Sequence, residues 1–222
     1  MDLTVAVIAK ECVPGRVKTR LSPPLPAQSA ADLAQLSLSR TLDSVRSVPA
    51  RRRLLVMDGT PTAWDAAGFT VLPQASGGLD ERLAALCDVV SGPLLIIGMD
   101  TPQFSLDHVA LLLRDWSTVL ARHEAWIGPA TDGGFWALAL LRPDGALIRG
   151  VPMSTATTGD RQLGRLTGAG LTVGMLPGLR DMDYFSDAVQ IAAEIPDSLF
   201  AEAVAENAAR VHSGQPQAEA LR

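Results

Sequence analysis

Four aspartates and one basic loop supply the chemistry that this sequence offers. Asp100 closes the run Pro93-Leu-Leu-Ile-Ile-Gly-Met-Asp-Thr-Pro-Gln103. Leu94 to Ile97 has the uninterrupted apolar character of a strand covered on both faces. Gly98 allows the backbone to bend or to approach a ligand, and Pro102 forbids continuation of the ladder. Asp100 is therefore expected at the carboxyl end of a central strand, the edge at which open α/β sheets bind ligands. A carboxylate there suits a hard cation. Asp is also a favoured turn residue, so a cap before the helix expected from Ser105 is the competing reading.

Asp132, Asp181 and Asp183 complete the acidic set. Magnesium is held by one or two carboxylates together with substrate phosphates. Asp181 and Asp183 flank Met182 after an expected strand, Leu171 to Leu176, and in an extended segment residues i and i+2 share a face. With Asp100 they could form a three-carboxylate cluster; alone, an Asp-x-Asp serves equally to start a helix. The basic group lies in the loop Lys10 to Pro24, with Lys10, Arg16, Lys18 and Arg20 against a single acid, Glu11. Phosphates attract such side chains: arginine as a planar fork, lysine as a point charge. A solvated loop is the competing reading. Neither the Gly-x-x-x-x-Gly-Lys-Ser/Thr phosphate loop nor the Gly-x-Gly-x-x-Gly dinucleotide fingerprint is present. A third place is Gly128 to Trp136, where the flexible Gly133-Gly134 adjoins Phe135-Trp136. It could wall a substrate, with Thr131 and Asp132 as hydrogen-bonding groups, although Trp136 serves equally as a core residue. Ser154, Thr155 and Thr158 form a polar loop that either touches substrate or caps the next helix. Cys12 lies near bases that could lower its pKa, but nothing else suggests a thiol enzyme. His108, His123 and His212 fall on helical segments without a visible partner.

The elements that must position these groups alternate. Strands are expected at Leu3–Ala9, Leu54–Met57, Phe69–Leu72, Leu94–Ile97, Ala125–Gly128, Phe135–Leu141 and Leu171–Leu176. Helices are expected at Ala27–Val48, Leu79–Val90, Ser105–Arg122 (Leu106, Val109, Leu113, Trp116 and Leu120 inward), Thr157–Leu166, Ser186–Ala193 and Pro196–Val211. Arg51-Arg52-Arg53 reads as a solvated connection. The pattern calls for a mainly parallel sheet with helices on both faces. The 222 residues suit one domain, 1–212, with 213–222 a disordered tail. They are 47% hydrophobic and 19% charged, enough for a sizeable core. A net charge of -5 provides no general basic field for nucleic acid. Two cysteines without metal-ligand spacing, and no apolar run of the ~20 residues needed to span a bilayer, point to a cytoplasmic setting.

Five segments in order resemble a bacterial GT-A-like family known as glycosyltransferase-like proteins of unknown function. They are Pro14-Gly-Arg-Val-Lys-Thr-Arg-Leu21, Gly98-Met-Asp-Thr-Pro102, Gly128-Pro-Ala-Thr-Asp-Gly-Gly-Phe135, Ser154-Thr-Ala-Thr-Thr-Gly159 and Arg180-Asp-Met-Asp183. The match spans roughly residues 3 to 195. Its wider superfamily includes 2-phospholactate guanylyltransferases, molybdopterin-cofactor nucleotidyltransferases and nucleotide-sugar glycosyltransferases. The resemblance implies a Rossmann-like GT-A, or nucleotide-diphospho-sugar transferase, fold. It implies that Lys18 and Arg20 face nucleotide phosphates and that Asp100 ligates Mg2+ or Mn2+, with Asp183 and Asp181 completing the metal site. Only Gly15 stands where related nucleotidyltransferases have a Gly-Gly-rich loop, which brings the chain nearer the Lys/Arg-rich guanylyltransferases.

The reading that results is a magnesium-dependent nucleotidyltransferase, guanylyltransferase-like, acting on a small anionic acceptor. Lys18, Arg20, Asp100 and Asp132 form the catalytic set. Lys10, Pro14, Gly15, Arg16, Lys18, Arg20, Gly98 and Asp100 are expected at the nucleotide, and Thr131, Asp132, Gly133, Gly134, Ser154, Thr155 and Thr158 at the acceptor. The expected partners are thus a nucleotide and a small molecule. Glycosyl transfer from a nucleotide sugar and a non-catalytic nucleotide-binding module are the alternatives.

Overall fold

The computed structural model describes residues 2–118 and 120–213; the tail expected at 213–222 lies, but for Ser213, outside them. Seven strands form one sheet: β1 (Thr4–Lys10), β2 (Arg52–Asp58), β3 (Thr70–Pro73), β4 (Leu94–Gly98), β5 (Ala125–Pro129), β6 (Phe135–Leu140) and β7 (Val173–Met175), in the order β3-β2-β1-β4-β6-β5-β7. β6 runs antiparallel to both of its neighbours; every other pairing is parallel. The helices are α1 (Ala27–Ser47), α2 (Ala63–Ala66), α3 (Leu79–Val89), α4 (Ala110–Trp116), α5 (Thr158–Gly168), α6 (Phe185–Glu194) and α7 (Leu199–Ser213). The mixed, mainly parallel α/β sheet expected from the alternation is thus what the chain builds.

Strand alternation divides the core in two. Val5, Val7, Leu55, Met57, Leu95 and Ile97 pack on one face with Leu38, Leu42 and Val45 of α1 and Leu112 and Trp116 of α4. Ala6, Leu54, Val56, Leu94 and Ile96 pack on the other with Leu83, Leu86 and Cys87 of α3 and Leu166 of α5. Apolar residues at successive positions of β4 therefore serve both faces, which is why that strand reads as a continuous run. A third cluster joins Leu21 and Leu25 of the first loop, Leu33 of α1, Met182, Ile191 of α6 and Phe200 and Val204 of α7.

Two expectations are corrected. The helix expected over Ser105–Arg122 is a 3-10 turn at Leu106–Val109 followed by the short α4. Asp115 explains the stop: its carboxylate accepts the backbone N–H groups of Arg122 at 2.8 Å and His123 at 3.0 Å, folding the chain back on itself. Leu112, not Leu113, takes the fully buried position, and Leu106 and Leu120 are exposed. Nor is Arg51-Arg52-Arg53 a solvated connection throughout. β2 begins at Arg52, and Arg53 donates to the carbonyls of Val45, Arg46 and Val48, satisfying the open carboxyl end of α1. His123 and His108 also have partners, Asp115 and the Ser105 cap respectively, and His212 lies 2.7 Å from the Ala208 carbonyl.

Candidate functional site at the carboxyl edge of the sheet

The order β3-β2-β1-β4 makes β1 the strand from which the chain crosses in two directions, and the crevice at such a reversal binds ligands in open α/β folds. Four segments converge there: the loop after β1, the turn after β4, the β5–β6 turn and the segment after β7. Backbone bonds lock the last to the others. Met182 donates to the Asp100 carbonyl at 3.0 Å and Thr131 to the Leu179 carbonyl at 3.0 Å. Gln103 Nε2 reaches the Arg180 carbonyl at 2.6 Å. Met182 is fully buried in the third cluster. Burying that one side chain anchors the Asp-Met-Asp segment with a carboxylate on each side.

The β5–β6 turn is not the flexible element that Gly133-Gly134 suggests. Gly133 has a φ of 90°, and its carbonyl accepts the Gly159 N–H at 2.8 Å; a Cβ on Gly133 would lie 2.1 Å from the Ala156 carbonyl oxygen. The glycine is needed because α5 begins directly against the turn. Gly128 is needed for a similar reason: a Cβ there would meet the Trp136 indole at 2.5 Å. Trp136 is buried, donates Nε1–H to the Pro177 carbonyl at 2.9 Å, and is among the residues lining the cleft.

The charged groups meet across this edge. Lys18 Nζ stands 2.9 Å from Asp100 Oδ2 and 3.1 Å from Asp183 Oδ1, and Arg20 Nη1 stands 2.9 Å from Asp183 Oδ2. Burial works against the Lys18 ammonium, but the two carboxylates more than offset it and raise its pKa above the ordinary lysine value. Lys18 holds a left-handed backbone, φ 45°, uncommon for a residue with a side chain. Arg20 is exposed and lies 6.0 Å from the centre of the Tyr184 ring. Asp132, Asp181 and Asp183 form a second grouping, one oxygen of each within 4.8 Å of the others. Burial, with Asp132 and Asp183 alongside, pushes Asp181 up to about 6.

A cleft of about 660 Å³ opens over these groups. Of the residues expected at the nucleotide, Arg20, Gly98 and Asp100 line it. Lys10, Pro14, Gly15, Arg16 and Lys18 do not, and Pro14, Gly15 and Arg16 are exposed. Of those expected at the acceptor, Thr131, Asp132, Gly134, Ser154, Thr155 and Thr158 line it and Gly133 lies behind. Thr158 also donates to the Pro152 carbonyl, so the polar loop caps itself as well as facing the cleft. Asp100 does not join Asp181 and Asp183 in the carboxylate grouping: Asp132 takes that place, and Asp100 is on the far side of Lys18's ion pairs. Sequence reasoning gives no role to Arg180, which it names only within the Arg180-Asp-Met-Asp183 segment, and passes over Tyr184 and Asp187; all three line the cleft, and Arg180 pairs with Asp187 at 3.1 Å. Their position beside the Asp-Met-Asp motif is the available signal. The bases of the first loop do not lower the pKa of Cys12. Burial, with Asp65, Asp100 and Glu11 nearby, pushes that thiol up to about 12.

The donor set fits a hard divalent cation. Three carboxylates offer oxygens within reach of one point, and one of them, Asp181, carries its charge against both burial and like-charged neighbours. Asp100 Oδ1 is buried without a hydrogen-bond partner among the described residues, so that oxygen too has unused capacity. No softer ligand belongs to the grouping, which disfavours a thiolate- or imidazole-seeking metal.

The sheet order, the reversed β6 and the cleft at the carboxyl edge define a Rossmann-like nucleotide-diphospho-sugar transferase fold. The chain belongs to the family described as an uncharacterized protein conserved in bacteria (DUF2064), which it matches over residues 41–155. Its fold is similar to that of a Desulfovibrio desulfuricans G20 protein provisionally named a nucleotide-diphospho-sugar transferase, with a TM-score of 0.82 and 21% identity over 97% of this chain and 99% of the other. It is also similar to CMP:2-keto-3-deoxy-manno-octonic acid synthetase in complex with CTP, with a TM-score of 0.60 and 11% identity over 89% and 99% of the two chains. A third similar structure is 2-C-methyl-D-erythritol 4-phosphate cytidylyltransferase from Thermus thermophilus, with a TM-score of 0.53 and 16% identity over 87% and 98%. Among curated proteins, none matches the chain by sequence.

Proposed function

We propose that this chain is a divalent-metal-dependent nucleotidyltransferase, guanylyltransferase-like, that transfers a nucleotidyl group to a small anionic acceptor. The observation that carries the reading is that Arg20, Asp100, Asp132, Asp181 and Asp183 line one cleft on the carboxyl edge of the sheet, with Lys18 paired to Asp100 and Asp183 behind it. The solved structures of similar fold include a synthetase holding CTP and a cytidylyltransferase, which supports nucleotide chemistry on this scaffold. Residues 1–212 act as one transferase domain in this reading. A cytoplasmic setting belongs to it, supported by the two free cysteines. Among the described residues no helix is long and apolar enough to cross a membrane.

Asp132, Asp181 and Asp183 would hold Mg2+ or Mn2+, which when bound neutralises phosphate charge. Arg20, exposed at the cleft, forks onto phosphate oxygens, while Lys18 adds a positive field from behind. These groups stabilise charge on the phosphates as the acceptor oxygen attacks in line and the distal phosphates leave. An acceptor that is already an anion needs no general base. Thr131, Ser154, Thr155 and Thr158 supply hydroxyls that orient it.

Thermal denaturation with a panel of nucleoside triphosphates and nucleotide sugars, with and without magnesium, tests the reading. A triphosphate with magnesium is expected to stabilise most. Stabilisation by a nucleotide sugar alone would move the assignment to glycosyl transfer, with Asp132 on the acceptor side. Silence from every nucleotide would leave a module without this chemistry.

A further inference from the structure

Lys18 is the most enclosed charged group of the site, with its side chain only 10% exposed, yet it does not face the cleft. It spends its ammonium on two carboxylates from distant parts of the chain, Asp100 Oδ2 and Asp183 Oδ1. Arg20 takes the other oxygen of Asp183. Both oxygens of Asp183 are thus already matched by cations, although Asp183 also belongs to the grouping with Asp132 and Asp181. Asp181, half-buried, stands in that grouping on the other side of Met182. An ammonium and a divalent cation on one carboxylate repel each other, and in a partly enclosed site that repulsion is only weakly screened.

We propose that the Lys18 ammonium is the resident counter-ion of Asp100 and Asp183, and that it holds a divalent cation off Asp183, the carboxylate its ion pairs share with the Asp132–Asp181 grouping, until a polyphosphate draws Lys18 and Arg20 away. The inference rests on the metal-and-phosphate reading given above. Its consequence is coupling: the metal alone meets an Asp183 that is already paired, the polyphosphate alone meets cations that are already paired, and the two together exchange those internal pairs for metal–carboxylate and phosphate–cation contacts. The left-handed backbone at Lys18 fits such a role, since non-glycine residues held there cluster at switch and ligand-clamp positions. Lys18 is then a positioning residue for the metal site, and Arg20 the group that touches phosphate.

Calorimetric titration of the full chain with Mn2+ alone tests this without any nucleotide. Lys18→Met is expected to bind Mn2+ at least tenfold more tightly than the wild type, and Lys18→Arg, which keeps the charge, to stay within about threefold of it. Equal or weaker binding by a folded Lys18→Met protein, or no binding by any of the proteins, overturns the proposal. If Lys18→Met does not fold, Arg20→Ala decides: losing the exposed cation from Asp183 is expected to tighten Mn2+ about threefold, and unchanged or weaker binding overturns the proposal. In the wild type, Mn2+ with inorganic tripolyphosphate should raise the Tm by more than the sum of the separate increments; additive increments overturn the coupling. The Mn2+ arm uses no nucleotide, so failure of the nucleotidyl-transfer reading in the nucleotide panel is distinguishable from failure here.

Discussion

Asp100 of the turn after β4 and Lys18 of the loop after β1, far apart in sequence, stand 2.9 Å apart at the carboxyl edge of the sheet. The pair joins two of the segments that form the cleft, and its second arm to Asp183 brings in a third. Removing one partner from such a partly enclosed pair leaves the other uncompensated, which costs more than the pair contributes. Asp100→Asn retains shape and one acceptor oxygen but removes the charge. The variant is expected to fold, to weaken triphosphate binding in the presence of magnesium by releasing Lys18 from its Asp100 pair, and to keep metal-independent nucleoside binding. Calorimetry with and without magnesium checks this, and an unchanged magnesium-dependent affinity would remove Asp100 from the metal and phosphate machinery.

Arg20 is expected to discriminate between phosphate and base. Its guanidinium is exposed at the cleft, so its hydrogen bond to a charged oxygen falls at the low end of the roughly 1.5–3 kcal/mol such bonds contribute. Arg20→Ala should weaken triphosphate binding about tenfold and leave the corresponding nucleoside unchanged. Equal losses for the two ligands would assign Arg20 to holding the loop through Asp183.

Asp181 is expected to cost stability in the metal-free protein. It is half-buried beside two other carboxylates, and burial and both neighbours oppose its charge at neutral pH. Asp181→Asn should therefore raise the metal-free Tm at pH 7.5 by about 2–4 °C, the shift that roughly 1 kcal/mol produces in a domain of this size. The same variant should lose the additional stabilisation that magnesium, at a concentration on the order of 10 mM, gives the wild type. A variant that still responds to magnesium would exclude Asp181 from the ligand set.

The thiols give a pH test. Burial pushes both Cys12 and Cys87 up to about 12, with acidic neighbours adding to it. At pH 8 an ordinary thiol is roughly a quarter thiolate, whereas one at about 12 is ionised to about one part in ten thousand. Iodoacetamide should therefore modify the folded protein roughly a thousandfold more slowly than the denatured one. Because the folded pKa is the higher, the thiols favour folding fully below about pH 9 and lose that contribution as the pH rises towards 12. Rapid labelling of Cys12 at pH 8 in the native protein would contradict the burial.

Much of this architecture is legible in the sequence because it depends on short-range pattern. The apolar run Leu94–Ile97 marks a two-faced strand, and Gly98 and Pro102 mark where it stops and a site begins. Asp181 and Asp183 are legible as a pair because spacing i and i+2 fixes their common side. Pairing across the fold is not displayed in the same way. Nothing local says that the ammonium of Lys18 turns inward to Asp100 rather than out to a ligand, or that Asp132 rather than Asp100 stands beside Asp181. Periodicity overextends α4 for a similar reason: the carboxylate of Asp115 captures the N–H groups of Arg122 and His123 and outweighs a leucine pattern that would otherwise continue. Gly133-Gly134 suggests freedom, where the close approach of Ala156 makes the first glycine a packing requirement.

Met182 tests how the site is held. Its side chain is fully buried among Leu21, Leu25, Leu33, Ile191 and Phe200, so it ties the Asp-Met-Asp segment to the first loop, α1, α6 and α7. Truncating a buried methionine to alanine typically costs about 2–5 kcal/mol through lost burial and the cavity left behind. At roughly 2–4 °C per kcal/mol, Met182→Ala should lower the Tm by on the order of 4–20 °C. Met182→Leu conserves most of the volume and should cost less than about 1.5 kcal/mol. The two variants separate stability from placement. If burial of this side chain sets the spacing of Asp181 and Asp183, Met182→Ala should also weaken Mn2+ binding at a temperature where it is fully folded, and Met182→Leu should restore it. A Met182→Ala protein that is less stable but binds Mn2+ as the wild type does would show that the backbone bond from Met182 to Asp100, at 3.0 Å, suffices to place the carboxylates.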